Sequence, residues 1–183
     1  MAIDIRLEFT PNPDTLKYVT NTSLLPSGSV NFKNAESAKG QSLLAEKLFE
    51  ISQVRAVMIG NHFITLTLNS STYPDTINHT ATQIIRQFLE SGQTPVKAQK
   101  VVPKQKQLTE IEAKIIKILD DEIRPAVAMD GGDIIFEKYE DGFVYLKMQG
   151  SCSGCPSAAM TLKMGVETRL REAIPEIQEI IPV

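Results

Sequence analysis

Apolar and charged residues alternate from the first positions. Ile3, Ile5, Leu7 and Phe9 fall on one side of the chain, with Asp4, Arg6 and Glu8 between them. A period of two predicts a strand with one buried face. Thr10-Pro11-Asn12-Pro13-Asp14 is turn chemistry, after which Leu16, Tyr18 and Thr20 resume the alternation in a second strand. Over residues 42–51 the period lengthens, and Leu43, Leu44, Leu48 and Ile51 share one helical face. Val54–Ile59 and Phe63–Leu68 read as a hairpin across Gly60-Asn61-His62. A helix then opens at Asp75 or Thr76, carries Ile77, Ala81, Ile84, Ile85 and Phe88 on its apolar stripe, and ends at Gly92. The first half is thus expected to run strand, strand, helix, strand, strand, helix.

The second half is patterned more sharply. Thr109 and Glu112 form a capping box ahead of Ile111, Ile115, Ile118, Leu119 and Ile123. Pro125 disfavours helical geometry at Arg124, so the helix is expected to stop there. Asp130-Gly131-Gly132-Asp133 reads as a tight turn into a strand over Ile134–Tyr139. Asp141-Gly142 is a hairpin turn, and Phe143–Met148 the returning strand. Pro156 suits the first position of a helix whose stripe is Ala159, Leu162, Val166, Leu170 and Ala173. Ile177–Ile181 is a short last strand. Between the halves, a stretch with prolines, lysines and glutamines and no acid has no apolar period, as a solvated tether would. The expected fold class is α+β: two small α/β-sandwich-like domains, residues 1–92 and 107–183, joined by a flexible linker over 93–106.

Composition narrows the function. Hydrophobic residues make up 42% of the chain and charged residues 22%, as in an ordinary globular protein. No apolar run approaches the roughly 18 residues of a membrane span, so no membrane is expected among the partners. The alternating start has neither a basic segment followed by an apolar one nor an Arg- and Ser-rich, acid-poor character. A cytoplasmic location is the resulting expectation. Net charge is −3. Residues 1–100 hold 9 Lys or Arg against 8 Asp or Glu, and residues 101–183 hold 10 against 14. An acidic second half argues against nucleic acid as a partner.

Cys152 and Cys155 are the only cysteines, both in the Gly/Ser-rich stretch Gly150-Ser151-Cys152-Ser153-Gly154-Cys155. Reduced thiols at this spacing point to metal or redox chemistry more than to a structural disulfide. Cys155 precedes the helix start at Pro156, where unsatisfied backbone N–H groups favour a thiolate. The pair is expected on an exposed loop, both sulfurs toward solvent. Packing as two small hydrophobes is the plain alternative. Three chemistries fit the residues. A thiol–disulfide pair ordinarily follows the first strand of a βαβ unit, whereas here a hairpin precedes. Zinc needs four ligands, and this half offers two sulfurs. An iron–sulfur cluster also needs four thiolates, which two copies of the chain would supply. His62 and His79 lie in the other half with no ligand spacing. Asp130–Asp133 offers carboxylates but is explained by a glycine turn, and Met160 and Met164 by core filling.

Ile123-Arg124-Pro125, Asp130-Gly131-Gly132-Asp133-Ile134, Gly150 through Ser157 and Met160-Thr161-Leu162-Lys163 together resemble the signature of the NifU-like C-terminal domain of Nfu iron–sulfur scaffold proteins. The likeness covers nearly all of 107–183, with Ala158 a departure beyond the cysteines. Thr10 through Tyr18 resembles the Nfu N-terminal domain. The resemblance implies a scaffold or carrier and not an enzyme. It implies a [4Fe–4S] cluster, with [2Fe–2S] the smaller alternative, bridging a homodimer through Cys152 and Cys155. Client apoproteins and upstream assembly factors follow as partners. It also marks Thr10–Asp14 as a candidate client-recognition loop, which turn chemistry explains as well. A thiol–disulfide redox protein and a zinc-bridged dimer are the competing readings.

Overall fold

The computed structural model describes residues 2–71, 75–97, 108–153 and 156–183, with backbone only for 156–162. It divides into two compact units, Met1–Lys100 and Val101–Val183. Each is a small sheet with helices, so the chain is a two-domain α+β protein.

The first unit holds a five-stranded antiparallel sheet. Its strands are β1 (Ile5–Phe9), β2 (Thr15–Thr20), β3 (Ser29–Phe32), β4 (Val54–Gly60) and β5 (Phe63–Leu68), ordered β1-β2-β5-β4-β3. Register lines up apolar residues in rungs that cross every strand. Leu7, Tyr18, Ile64, Ile59 and Val30 form one rung, and Phe9, Leu16, Leu66, Val57 and Phe32 the next. Leu16, Tyr18, Ile59, Ile64 and Leu66 are fully buried, together with Leu44 and Leu48 of α2 (Leu43–Phe49) and Ile85 of α3 (Thr76–Glu90). Phe9, expected on the buried face, is 82% exposed at the end of the edge strand.

The sequence pattern misses β3 and the four-residue helix α1 (Ala35–Ala38). Neither is long enough to display a period. Local chemistry holds α1 instead, through a capping box between Asn34 and Ser37.

Composition assigns Pro95–Lys97 to the tether, yet these residues pack on the first unit. Val96 is buried in its core, and Lys97 N donates to Gln41 O at 2.8 Å. Ser42, the N-cap of α2, accepts from Ala45 N at 3.1 Å and donates to Pro95 O at 2.5 Å. Residues 98–106, most of the expected tether, lie outside the described residues. Losing both bonds in Ser42→Ala is expected to cost about 1–2 kcal/mol. Faster hydrogen exchange at the Ala45 amide would report it.

The second unit begins with α4 (Glu110–Ile118), opened by the Thr109–Glu112 capping box. Pro125 does not end the helix as expected. A π turn over Leu119–Ile123 follows, closed by Arg124 N to Leu119 O, and α5 (Arg124–Met129) continues from it. Arg124 keeps helical geometry, φ −59° and ψ −39°. The wider turn moves the preceding carbonyls away from the proline ring, and Pro125, with no N–H to place, sits in the first turn of α5.

β6 (Gly132–Glu140) and β7 (Phe143–Gly150) pair antiparallel across Asp141-Gly142, both at positive φ as a type I′ turn requires. α6 (Pro156–Ala173) leads to β8 (Glu179–Pro182), which pairs parallel with β7. Ile115, Leu119, Val127, Ile134, Val144, Leu146, Val166, Leu170 and Ile180 fill the core.

Candidate metal centre

The open end of the β6–β7 hairpin sets Gly132 opposite Gly150. Gly150, at φ 64°, turns the chain out of β7, and Ser153 closes that turn by donating from its N and Oγ to Gly150 O at 3.1 and 2.8 Å. Ser151 laces it to the facing turn: its N donates to Gly131 O at 3.2 Å, and its Oγ to Asp130 O. Gly131 takes φ 77°, which suits only glycine there.

Cys152 lies between these two turns, and it is buried rather than exposed. Only 7% of it meets solvent, and it packs with the apolar core of the second unit. Its Sγ rests over the Cα of Gly132. A Cβ at that position would collide with Sγ and come within 3.2 Å of Cys152 Cβ and 3.1 Å of Gln149 O. The missing side chain is the space the thiol occupies, so the expectation of an exposed sulfur fails here for a steric reason. Burial pushes the Cys152 thiol up to about 11. The Ser151 hydroxyl works against that rise, while the Asp130 and Asp133 carboxylates add to it. Cys155 lies outside the described residues, so the spacing of the two sulfurs does too.

Asp133 anchors the base of the loop. Its Oδ1 accepts from Arg124 Nε at 2.9 Å and from Ile134 N at 2.8 Å, and its Oδ2 from Arg124 Nη2 at 3.0 Å. This is a two-bond fork onto a buried carboxylate. Arg124 Nη1 also donates to Asp120 Oδ1 at 2.8 Å, inside the π turn. On the other side of that turn, Glu122 takes a second fork from Arg169 of α6, at 2.6 and 2.8 Å. The Asp133 carboxylate is therefore committed to structure. The sequence places Arg124, Gly132 and Asp133 in motifs but gives no sign that they meet. A nine-residue spacing across a helix end and a turn has no period to read.

Among the described residues, no three or more of His, Cys, Asp and Glu are grouped to hold a metal ion. A thiol is the donor type that iron or zinc takes. Its direction is the mismatch: in this conformation the Cys152 sulfur faces the core.

Two family models match in order. The model described as the scaffold protein Nfu/NifU N terminal covers residues 5–92, and the NifU-like domain covers residues 115–181. The chain belongs to the Nfu family. The iron–sulfur cluster scaffold homolog NFU1, mitochondrial, of Drosophila persimilis is 38% identical over 179 residues, 96% of this chain and 64% of that protein. Its counterpart in Drosophila yakuba is 37% identical over 181 residues, 96% of this chain and 63% of its own length. The chain thus spans just under two thirds of the curated relatives it matches. A solution NMR structure of a NifU-like protein from Saccharomyces cerevisiae aligns over 53% of this chain and 87% of its own, at 24% identity and a TM-score of 0.48.

These relatives overturn the expected cytoplasmic location, because they are named as mitochondrial proteins. The expectation rested on the alternating first strand, a pattern that carries no compartment signal of its own, which is why the sequence misled. No helix among the described residues is long and apolar enough to cross a membrane.

Proposed function

We propose that this Nfu chain is an iron–sulfur cluster scaffold or carrier. Cys152 and Cys155 of two copies hold one [4Fe–4S] cluster between them, and the cluster passes to client apoproteins. The observation that carries the reading is the Nfu/NifU N-terminal domain followed by the NifU-like domain, whose stretch contains both of the chain's cysteines. The local architecture supports it. Arg124, Gly131, Gly132, Asp133 and Ser151 are all engaged in building the base from which the cysteine loop leaves β7.

The cluster is cargo here, and the chain's part is to supply thiolates. Two per chain leave a cluster half-ligated, so a second copy completes the set. Binding requires each thiol to give up its proton. Burial opposes that step at Cys152, whose thiol it pushes up.

The test is anaerobic reconstitution with ferrous iron and sulfide, with metal analysis and native mass spectrometry. The expected product is a dimer with about two irons and two sulfides per chain, formed from a monomeric apoprotein. About half a zinc per chain and no sulfide would mean the zinc-bridged dimer. A monomer that takes no metal and cycles between dithiol and disulfide would mean the redox protein.

A further inference from the structure

We propose that Gly132 is a positioning residue for Cys152: its bare Cα is a seat in which the thiol is stowed in the metal-free chain, and the cysteine must leave that seat to take cluster. The inference rests on the cluster reading for its second half and on geometry alone for its first.

Three features of the geometry build the seat. The Gly132 Cα faces Sγ with no space for even one more carbon, so any other residue would evict the sulfur. The Gly132–Gly150 pair opens the last rung of the hairpin just where the loop folds back. Ser151, next to the cysteine, is held at two atoms by Gly131 O and Asp130 O, which fixes the loop over the seat. Gly131 and Gly132 therefore have different reasons to be glycine. Gly131 needs a positive φ, whereas Gly132 has none and is small for the sake of the sulfur.

Stowing has a functional consequence. A ligand that binds a minor conformation binds more weakly by the fraction of chains in that conformation. The seat would thus lower the affinity of a lone chain for metal and leave the cluster easier to hand on. It would also shield one of two neighbouring thiols while the chain is empty.

Alkylation tests this without any cluster. In Cys155→Ser apoprotein, Cys152 is the single thiol, and iodoacetamide labelling followed by mass spectrometry reads its access. Native protein should label at least about tenfold more slowly than the same chain in urea. Equal rates would overturn the seat. Gly132→Ala on that background should label about tenfold faster than its parent, with circular dichroism unchanged. A folded Gly132→Ala chain that labels no faster would overturn it equally. If Gly132→Ala fails to fold, Ser151→Ala decides: it removes the hydroxyl bond to Asp130 O and should speed labelling several-fold, and an unchanged rate sinks the proposal. Gly142→Ala is the control for loosening in general, since it strains the other end of the same hairpin, at φ 88°. It should leave labelling at the parent rate, and an equal rise there would assign the effect to the fold and not to the seat.

Reconstitution separates this inference from the reading it rests on. A chain with a shielded Cys152 that takes no iron or sulfide retires the cluster reading and keeps the seat. A chain that loads cluster and labels as fast as in urea does the reverse.

Discussion

Cys152→Ser protein, reconstituted anaerobically and passed over a sizing column, is expected to emerge as a monomer with no stable cluster. One substitution per chain removes two of the four sulfurs that two chains provide. A hydroxyl does not replace a thiolate as a soft ligand to iron, and the two sulfurs that remain leave a cluster half-ligated. The loss should be close to complete, not graded, because dimer and cluster form together and each lacks support without the other. The fold should survive. Serine is slightly smaller than cysteine, so the seat over Gly132 accepts it. A buried hydroxyl beside an apolar core needs a partner, which makes the expected loss of apoprotein stability about 1–2 kcal/mol. Retention of a full, stable cluster and a dimer by Cys152→Ser would refute the shared site.

Arg124→Ala should cost the cysteine-bearing unit about 2–3 kcal/mol. The removed guanidinium leaves the Asp133 carboxylate buried without its cation, and breaking one side of such a pair is more damaging than replacing both. The Arg124 side chain is 31% exposed, which sets the effect just below the range for fully buried pairs. Arg124→Lys should recover part of the loss, since an ammonium restores charge but not the two-bond fork. Adding Asp133→Ala to Arg124→Ala should cost less than the two changes apart. Urea unfolding followed through hydrogen exchange at the β6 and β7 amides gives these values residue by residue. A loss below about 0.5 kcal/mol would mean that the fork is a surface decoration.

The parts of this fold that were legible in the sequence are those that local chemistry decides. The Thr109–Glu112 box opens α4, and Asp141-Gly142 turns the hairpin at positive φ. The Ile77–Phe88 stripe of α3 is buried at Ile77, Ala81, Ile85 and Phe88. The parts that were not legible depend on partners distant in the chain. Pro125 reads as a stop because the rule for the residue before proline assumes a regular α-helix, and a π turn is invisible in the pattern. The Gly-Gly pair reads as turn chemistry, which explains Gly131. Nothing in the string says that the sulfur twenty residues on (132 to 152) needs the room at Gly132. The polar character of its neighbours points Cys152 to solvent, yet Ser151 and Ser153 spend their hydroxyls on backbone carbonyls and let the cysteine between them turn inward.

The π turn has a consequence for how this chain tolerates change in length. A π turn carries one residue more than the α-helical turn it replaces, and each residue of a helix turns the ones after it by about 100°. Deleting any one residue of Leu119–Ile123 would regularise the helix, an apparent improvement by helical propensity alone. Residues beyond the deletion would keep nearly the same phase, because a π turn and an α turn each complete one circuit of the axis. Arg124 would still point toward Asp133, but Pro125 would stand inside a regular α-helix, where a proline ring meets the carbonyl four residues back. The surplus residue acts as a relief joint that lets the helix run on through a proline. Across related chains, the number of residues between the capping box and Arg-Pro should therefore vary less than the identities of the residues that fill it.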